Sequence, residues 1–406
     1  MDTWPTHLRN ELEDAYRAAE LGWLRASAAP TLADSLLETR PGFLPAHLLR
    51  IASLVAAKDA AALPSLERAL AAAAPFEAGA DPRERAHLAA ARAWLARRPL
   101  EAAKIYTRLA TEHRDDLVSL RLAQSCWYFL GRRTNERDIA DLALRTWSPG
   151  GPGFDVVLAM AAFGAAETND GERAEELARR SLDVEPRSPF AIHALAHALA
   201  MRARPAEGAR ELRASTADWR LGGRMDGHIG WHLAAFDLET GDTRSALAAF
   251  DREQLPAAAL DASGCADATD LLWRLELAGV DVGARWEALA ASWARRLSPG
   301  FWGFLDVLAG LALQRGGRRA EACALARDVA LAPRVAGVGA PGLGTLPVLA
   351  ALDAFARAAF TEASRGLSMA LPRLGGSLPQ RELLLLTQRT AERRRTSERR
   401  PVPAAA

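Results

Sequence analysis

Apolar residues recur at three- and four-residue spacing along most of this chain, and the positions between them are filled largely by Ala, Leu, Arg and Glu. That period belongs to an amphipathic α-helix, and those residues are strong helix formers. Runs of Val, Ile and Thr that would read as strands are missing. Short breakers punctuate the pattern at Arg40-Pro41-Gly42, Ser148-Pro149-Gly150-Gly151-Pro152-Gly153, Thr240-Gly241-Asp242, Ser298-Pro299-Gly300 and Arg315-Gly316-Gly317. The spacing predicts an N-terminal helix over about 6–26 and helix pairs near 43–75, 83–112, 117–147, 154–183, 189–214, 227–254, 267–296, 301–331 and 346–370. A final helix is expected over about 379–394, a Gly- and Pro-rich loop over 332–345, and a disordered basic tail over 395–406.

The pairs carry a ladder of small residues. Ala162, Ala174 and Pro186 are each twelve positions apart, and Ala90 with Ala102, Ala196 with Gly208, Ala234 with Ala246 and Gly310 with Ala322 repeat the first step. Small side chains are needed where two helices of a pair cross closely, because bulky ones hold the axes apart. Tyr106 and Phe250 each fall four residues after the second small residue, where an aromatic plug fits. A helix–turn–helix unit of about 34 residues with these features is the tetratricopeptide repeat. The chain therefore reads as all-α, a tetratricopeptide-type right-handed superhelical solenoid of antiparallel helix pairs, one body over about 1–390.

Composition narrows the function classes. With 51 basic and 50 acidic residues the formal charge of the 406-residue chain is +1. That balance gives no electrostatic reason for a nucleic acid or an anionic membrane as partner. Cys126, Cys265 and Cys323 are odd in number and far apart, so neither a disulfide framework nor a CxxC pair is present, which points to a reducing compartment. No stretch of 18 or more uncharged apolar residues occurs, and the start has no basic region followed by an apolar run. The expected setting is the cytoplasm.

Four of the eight histidines lie within forty residues: His193, His197, His228 and His232. Each pair is spaced i, i+4 and so shares one helix face. The register set by Ala196 and Ala234 puts both pairs on first helices of adjacent repeats, turned toward the concave groove. His87 falls on the same side by the same register, and His47 is expected there too. Neutral imidazole is a good ligand for zinc, copper, iron or nickel, and also a general acid or base near neutral pH. Glu167, Asp226, Asp237 and Glu239 are carboxylates near them in sequence. The competing reading is that each ring bonds a carbonyl or an acid inside the helical core. His193-Ala194-Leu195-Ala196-His197 lacks the Glu of a zinc-protease HExxH motif. The eleven Trp read as core packing more than as a ligand box. The glycine turns Leu221-Gly222-Gly223 and Leu374-Gly375-Gly376-Ser377 are not phosphate loops.

The run from Ile192-His193-Ala194-Leu195-Ala196-His197 through Glu207-Gly208 and Trp219 to His228-Ile229-Gly230-Trp231-His232-Leu233-Ala234, with Gly241-Asp242 and Asp251-Arg252, resembles the tetratricopeptide repeat protein 38 family. Glu84-Arg85-Ala86-His87, Ala161-Ala162-Phe163-Gly164 with Glu167-Thr168, and Leu374-Gly375-Gly376-Ser377 with Gln380-Arg381 extend the resemblance over about residues 40–385. It implies a tetratricopeptide-like superhelix with His87, His193, His197, His228, Trp231 and His232 as functional residues. The family commonly has His where this chain has Asp237, Leu308 and Leu378, which implies an altered or reduced site.

Two functions follow as expectations. The first is a scaffold whose concave groove holds a peptide or protein, although the groove positions carry His and small apolar residues in place of a Lys, Arg and Asn carboxylate clamp. The second is a pocket for a small molecule or a divalent metal, with or without catalysis. Its metal ligands would be His193, His197, His228 and His232, with His87, Trp231, Asp237 and Glu167 lining the groove.

Overall fold

The computed structural model describes residues 6–26, 31–333, 341–371, 374 and 376–398, and among these no residue is in a strand. In chain order the helices are α1 (Thr6–Arg25), α2 (Thr31–Thr39), α3 (Leu44–Ala56), α4 (Leu63–Ala73), α5 (Pro82–Leu95), α6 (Pro99–Glu112), α7 (Leu117–Phe129) and α8 (Arg133–Thr146). Then come α9 (Phe154–Glu167), α10 (Gly171–Val184), α11 (Pro189–Met201), α12 (Pro205–Ala214), the single turn α13 (Thr216–Trp219), α14 (Arg224–Glu239) and α15 (Thr243–Ala249). After them are the short α16 (Leu255–Ala258), α17 (Ala262–Leu277), α18 (Arg285–Ala294), α19 (Gly303–Arg315), α20 (Arg319–Leu331), α21 (Pro341–Ala356), α22 (Phe360–Ala370) and α23 (Leu378–Glu398).

One backbone device recurs at the turn inside the pairs. Arg97, Gly131, Asn169, Ala203, Gly241, Gly279 and Gly317 all have φ between 52° and 90°, and they follow one another at intervals of 34 or 38 residues. The N–H of the next residue reaches back five positions in each case, as in Arg98 to Ala93, Arg132 to Trp127, Asp170 to Ala165, Arg204 to Leu199 and Asp242 to Asp237. This is the left-handed helix stop that satisfies orphan carbonyls and reverses the chain in two or three residues. An interval of 38 is 34 plus about one helical turn. Starts are equally regular. Asp81, Asp116, Asp170, Ser188, Asp242 and Asp261 each cap the following helix through a side-chain oxygen, and Pro opens α5, α6, α11 and α12. The fold is thus all-α and of the tetratricopeptide type, helix pair after helix pair.

The chain divides into two compact units, one up to Ile229 and one from Gly230 on, with the border inside α14. In the first unit α9 packs against α10 and α11, and α7 against α6, α8 and α9. The ladder positions Ala90, Ala102, Ala162, Ala174 and Ala196 are essentially inaccessible. Helix α1 is not a repeat helix. It touches α3, α7 and α11, its Arg25 holds Asp155 through two hydrogen bonds of 2.8 and 3.0 Å, and Tyr16 meets Phe43 edge-on.

In the second unit the core is built from α17, α18, α19, α21, α22 and α23, with Trp273, Trp286, Trp293, Phe304 and Phe355 in it. Its indoles are anchored: Trp273 donates to Thr387 at 2.8 Å and Trp293 to Thr269 at 2.8 Å. These tryptophans are core residues. Helix α23 continues to Glu398, past the expected end at 394, and 399–406 lie outside the described residues. Helix α21 begins at Pro341, inside the expected loop, and 334–340 are likewise outside them.

Candidate imidazole site

The first helices of three repeats bring the site together. Ser188 and Pro189 set the start of α11, which runs as an almost wholly buried helix and carries His193 and His197 one turn apart. Their rings are 4.4 Å apart and edge-on. His228 approaches from α14, with its Nε2 3.1 Å from Nε2 of His193. Phe163 of α9 stacks on His193 at 5.6 Å and meets His197 edge-on at 5.0 Å, so the imidazoles are walled by an aromatic ring. His232 stands one turn beyond His228 on the unbroken α14, with its ring against Trp231 and Phe236. Each of the four histidines offers one ring nitrogen, and these four atoms lie within 4.8 Å of one another. His193, His197 and His232 are buried, and His228 is half-buried.

A carboxylate sits behind the imidazoles. Glu167 ends α9, is 1% exposed, and its Oε1 lies 3.2 Å from Nδ1 of His197. Arg133 Nε is 3.6 Å from its other oxygen. Burial pushes His197 below the ordinary imidazole value, and the contact with Glu167 offsets this only in part. A ring held neutral is the form that ligates a metal. A ligating His usually turns its second nitrogen to a carboxylate, which fixes tautomer and orientation, and Glu167 stands in that position to His197.

Other candidates go elsewhere. His87 Nε2 donates to Asp116 at 2.8 Å, where Arg83 Nε and the Ser119 N–H also donate at 2.8 Å. Burial alone would raise the Asp116 carboxyl, but His87 and Arg83 outweigh it and hold Asp116 well below the usual carboxylate range. His47 Nε2 donates to the Pro41 carbonyl at 2.8 Å. Both rings are structural in the way that a buried His usually is, and the four-imidazole group does not include them. Trp231 donates its indole N–H to Asp270 at 3.0 Å in the second unit. Asp237 is buried near the end of α14, and Leu308 is a core residue of α19. Of the expected groove residues, the structure brings together the four imidazoles, Glu167 against His197 and Trp231 against His232.

Residues that the sequence reading did not single out surround this set. Phe163 and Phe190 wall it, with Phe190 6.2 Å from both Phe163 and His193. Arg121 of α7 stacks its guanidinium on Phe190, 3.8 Å from the ring centroid. Glu136 of α8 is wholly buried, and its carboxyl is pushed well above the usual range by burial and by Glu167. The signal for Arg121 was weak, one Arg among many on helix faces. A cavity of about 500 Å³ beside α1, lined by Tyr16, Glu20, Arg83 and Trp147 among others, is separate from the imidazoles. Burial and the neighbouring Asp116 raise its Glu20 to about 7.

No family model matches the chain. Among solved structures it is similar to a tetratricopeptide repeat protein from Parabacteroides merdae, at 19% identity over 66% of this chain and 93% of that one, with a TM-score of 0.41. It is also similar to the P58(IPK) TPR domain, at 10% identity over 96% of this chain and all of that one, with a TM-score of 0.22.

Proposed function

We propose that this chain is a tetratricopeptide-type binding scaffold whose first-helix surface carries a site for a first-row divalent metal of the zinc class. The observation behind this reading is the convergence of four imidazole nitrogens within 4.8 Å of one another. Four neutral nitrogen donors suit zinc, copper or nickel far better than calcium or magnesium, which take oxygen. His193, His197, His228 and His232 are the ligands, and Glu167 orients His197. The peptide groove that the repeat type suggests is less well supported here, because the side chains packed on the imidazoles are the aromatic rings of Phe163, Phe190, Trp231 and Phe236. Kinship with the tetratricopeptide repeat protein 38 family belongs to the same proposal and rests on the block from His193 to His232. So does a cytoplasmic setting, which suits Cys126, Cys265 and Cys323, none of them in a disulfide among the described residues. Among the described residues no helix is long and apolar enough to cross a membrane.

The test is the metal content of the untagged protein, as purified and after dialysis against zinc, beside a His193→Ala/His228→Ala variant whose folding is checked by circular dichroism. About one metal per chain is expected in the wild type, lost in the folded variant. A folded wild type that retains no zinc after dialysis overturns the reading.

A further inference from the structure

Helix α1 leaves a cavity of about 500 Å³ between itself and the repeat helices beside it, within the size range of small-molecule pockets. Every residue around it belongs to the first unit. On the cavity side of α1, Tyr16 stands one turn from Glu20 and Arg17 one turn from Leu21. The facing wall is the breaker segment after α8, which brings in Trp147. In that segment Gly153 has a φ of 79°, and a Cβ there would come 2.4 Å from Leu117 and 3.5 Å from Leu21. The segment is therefore seated on two leucines that also line the cavity, which gives it an apolar side.

The charged groups around this space are of two kinds. Arg83 is committed, with Nε 2.8 Å from Asp116 and Nη1 3.6 Å from Asp115. Glu20, Arg17 and Arg114 are not. Among the described residues none of these three makes an ion pair or a side-chain hydrogen bond, and the Tyr16 hydroxyl and the Trp147 indole N–H have no hydrogen-bond partner either. Glu20 is half-buried, whereas Arg17 and Arg114 are exposed, so the carboxyl lies further in than the two guanidinium groups. A carboxylate drawn out of water without a counter-charge is costly, and its level near 7 reflects that. An ammonium group would supply the counter-charge. A guanidinium offers two parallel donors that match a carboxylate.

The ligand class follows from having both signs uncommitted around one cavity. A simple amine would meet Glu20 but face Arg17 and Arg114. A simple acid would meet the arginines but face Glu20. We propose that this cavity binds a free amino acid with an apolar side chain, its ammonium on Glu20, its carboxylate on Arg17 and Arg114, and its side chain against Trp147 and the two leucines. The assignment is independent of the metal reading.

The experiment is isothermal titration of the untagged full chain at pH 7, stripped with EDTA so that no bound metal can chelate the probe. The probes are L-phenylalanine, 3-phenylpropanoate, which lacks the ammonium, and 2-phenylethylamine, which lacks the carboxylate. L-Phenylalanine is expected to bind the wild type, and each half-probe at least tenfold more weakly. Glu20→Gln should weaken L-phenylalanine at least tenfold and leave 3-phenylpropanoate no weaker. An Arg17→Gln/Arg114→Gln variant should weaken L-phenylalanine at least tenfold and leave 2-phenylethylamine no weaker. His193→Ala/His228→Ala should bind L-phenylalanine as the wild type does. No L-phenylalanine binding by the folded wild type, or a half-probe bound as tightly as the amino acid, overturns the proposal without recourse to any variant. So does unchanged L-phenylalanine binding in either folded Gln variant, or its loss in the folded imidazole variant, which would move the ligand to the histidines.

Discussion

Replacing Glu167 by Gln isolates what the carboxylate behind the imidazoles does. The change keeps the volume of a side chain that is 1% exposed and leaves an oxygen that can still accept from His197 Nδ1, now 3.2 Å away. What it removes is the charge. Loss of such an outer partner typically lowers metal affinity 10- to 100-fold. At 3.2 Å the contact is longer than the usual 2.7–2.9 Å of a charge-assisted bond, so the effect should sit near tenfold, about 1.4 kcal/mol. Stability of the metal-free protein should fall by only about 1 kcal/mol, because Arg133, the other partner of Glu167, is 24% exposed and regains water. Zinc affinity is read by competition with a chromogenic chelator at pH 7, and stability by urea unfolding of the stripped protein. Wild-type zinc affinity in a folded Glu167→Gln variant would show that His197 needs no carboxylate behind it, and the role given to Glu167 would be wrong.

Two further outcomes test the scaffold. Asp116→Asn should lower stability by about 3 kcal/mol at pH 7, as for breaking a buried charged network. Folded Asp116 stays ionised while the unfolded chain takes up its proton near pH 4, so the stability it confers is present above that pH and lost as pH falls. The difference between wild type and variant should shrink in urea unfolding series from pH 5 to pH 3, and a constant difference would reject the account. Gly164→Ala would put a Cβ 2.9 Å from Arg137 Cα, backbone that cannot turn aside. A net loss of about 1–3 kcal/mol is expected despite the better helix propensity of Ala, and a rise in melting temperature would refute the close crossing of α8 and α9.

Much of this protein is written in local pattern. The helical period, the small residues at Ala162 and Ala174, and the breakers that contain Gly241 and Gly317 are all short-range signals. They were enough for an all-α array of helix pairs, because the turn inside a pair needs only a few neighbouring residues and the left-handed stop is a local backbone requirement. The i, i+4 spacing likewise put His193 with His197 and His228 with His232 on common faces before any packing was known. Sequence could not say which imidazoles meet. His87 shares their register, yet Asp116, twenty-nine residues on, accepts its hydrogen bond; His47 turns to Pro41 instead. Nor could it show that α1 leaves the array to lie against α3, α7 and α11, or that Arg121 would stand on Phe190. Those outcomes depend on distances between residues far apart in the chain, which helix packing sets and helical periodicity does not encode.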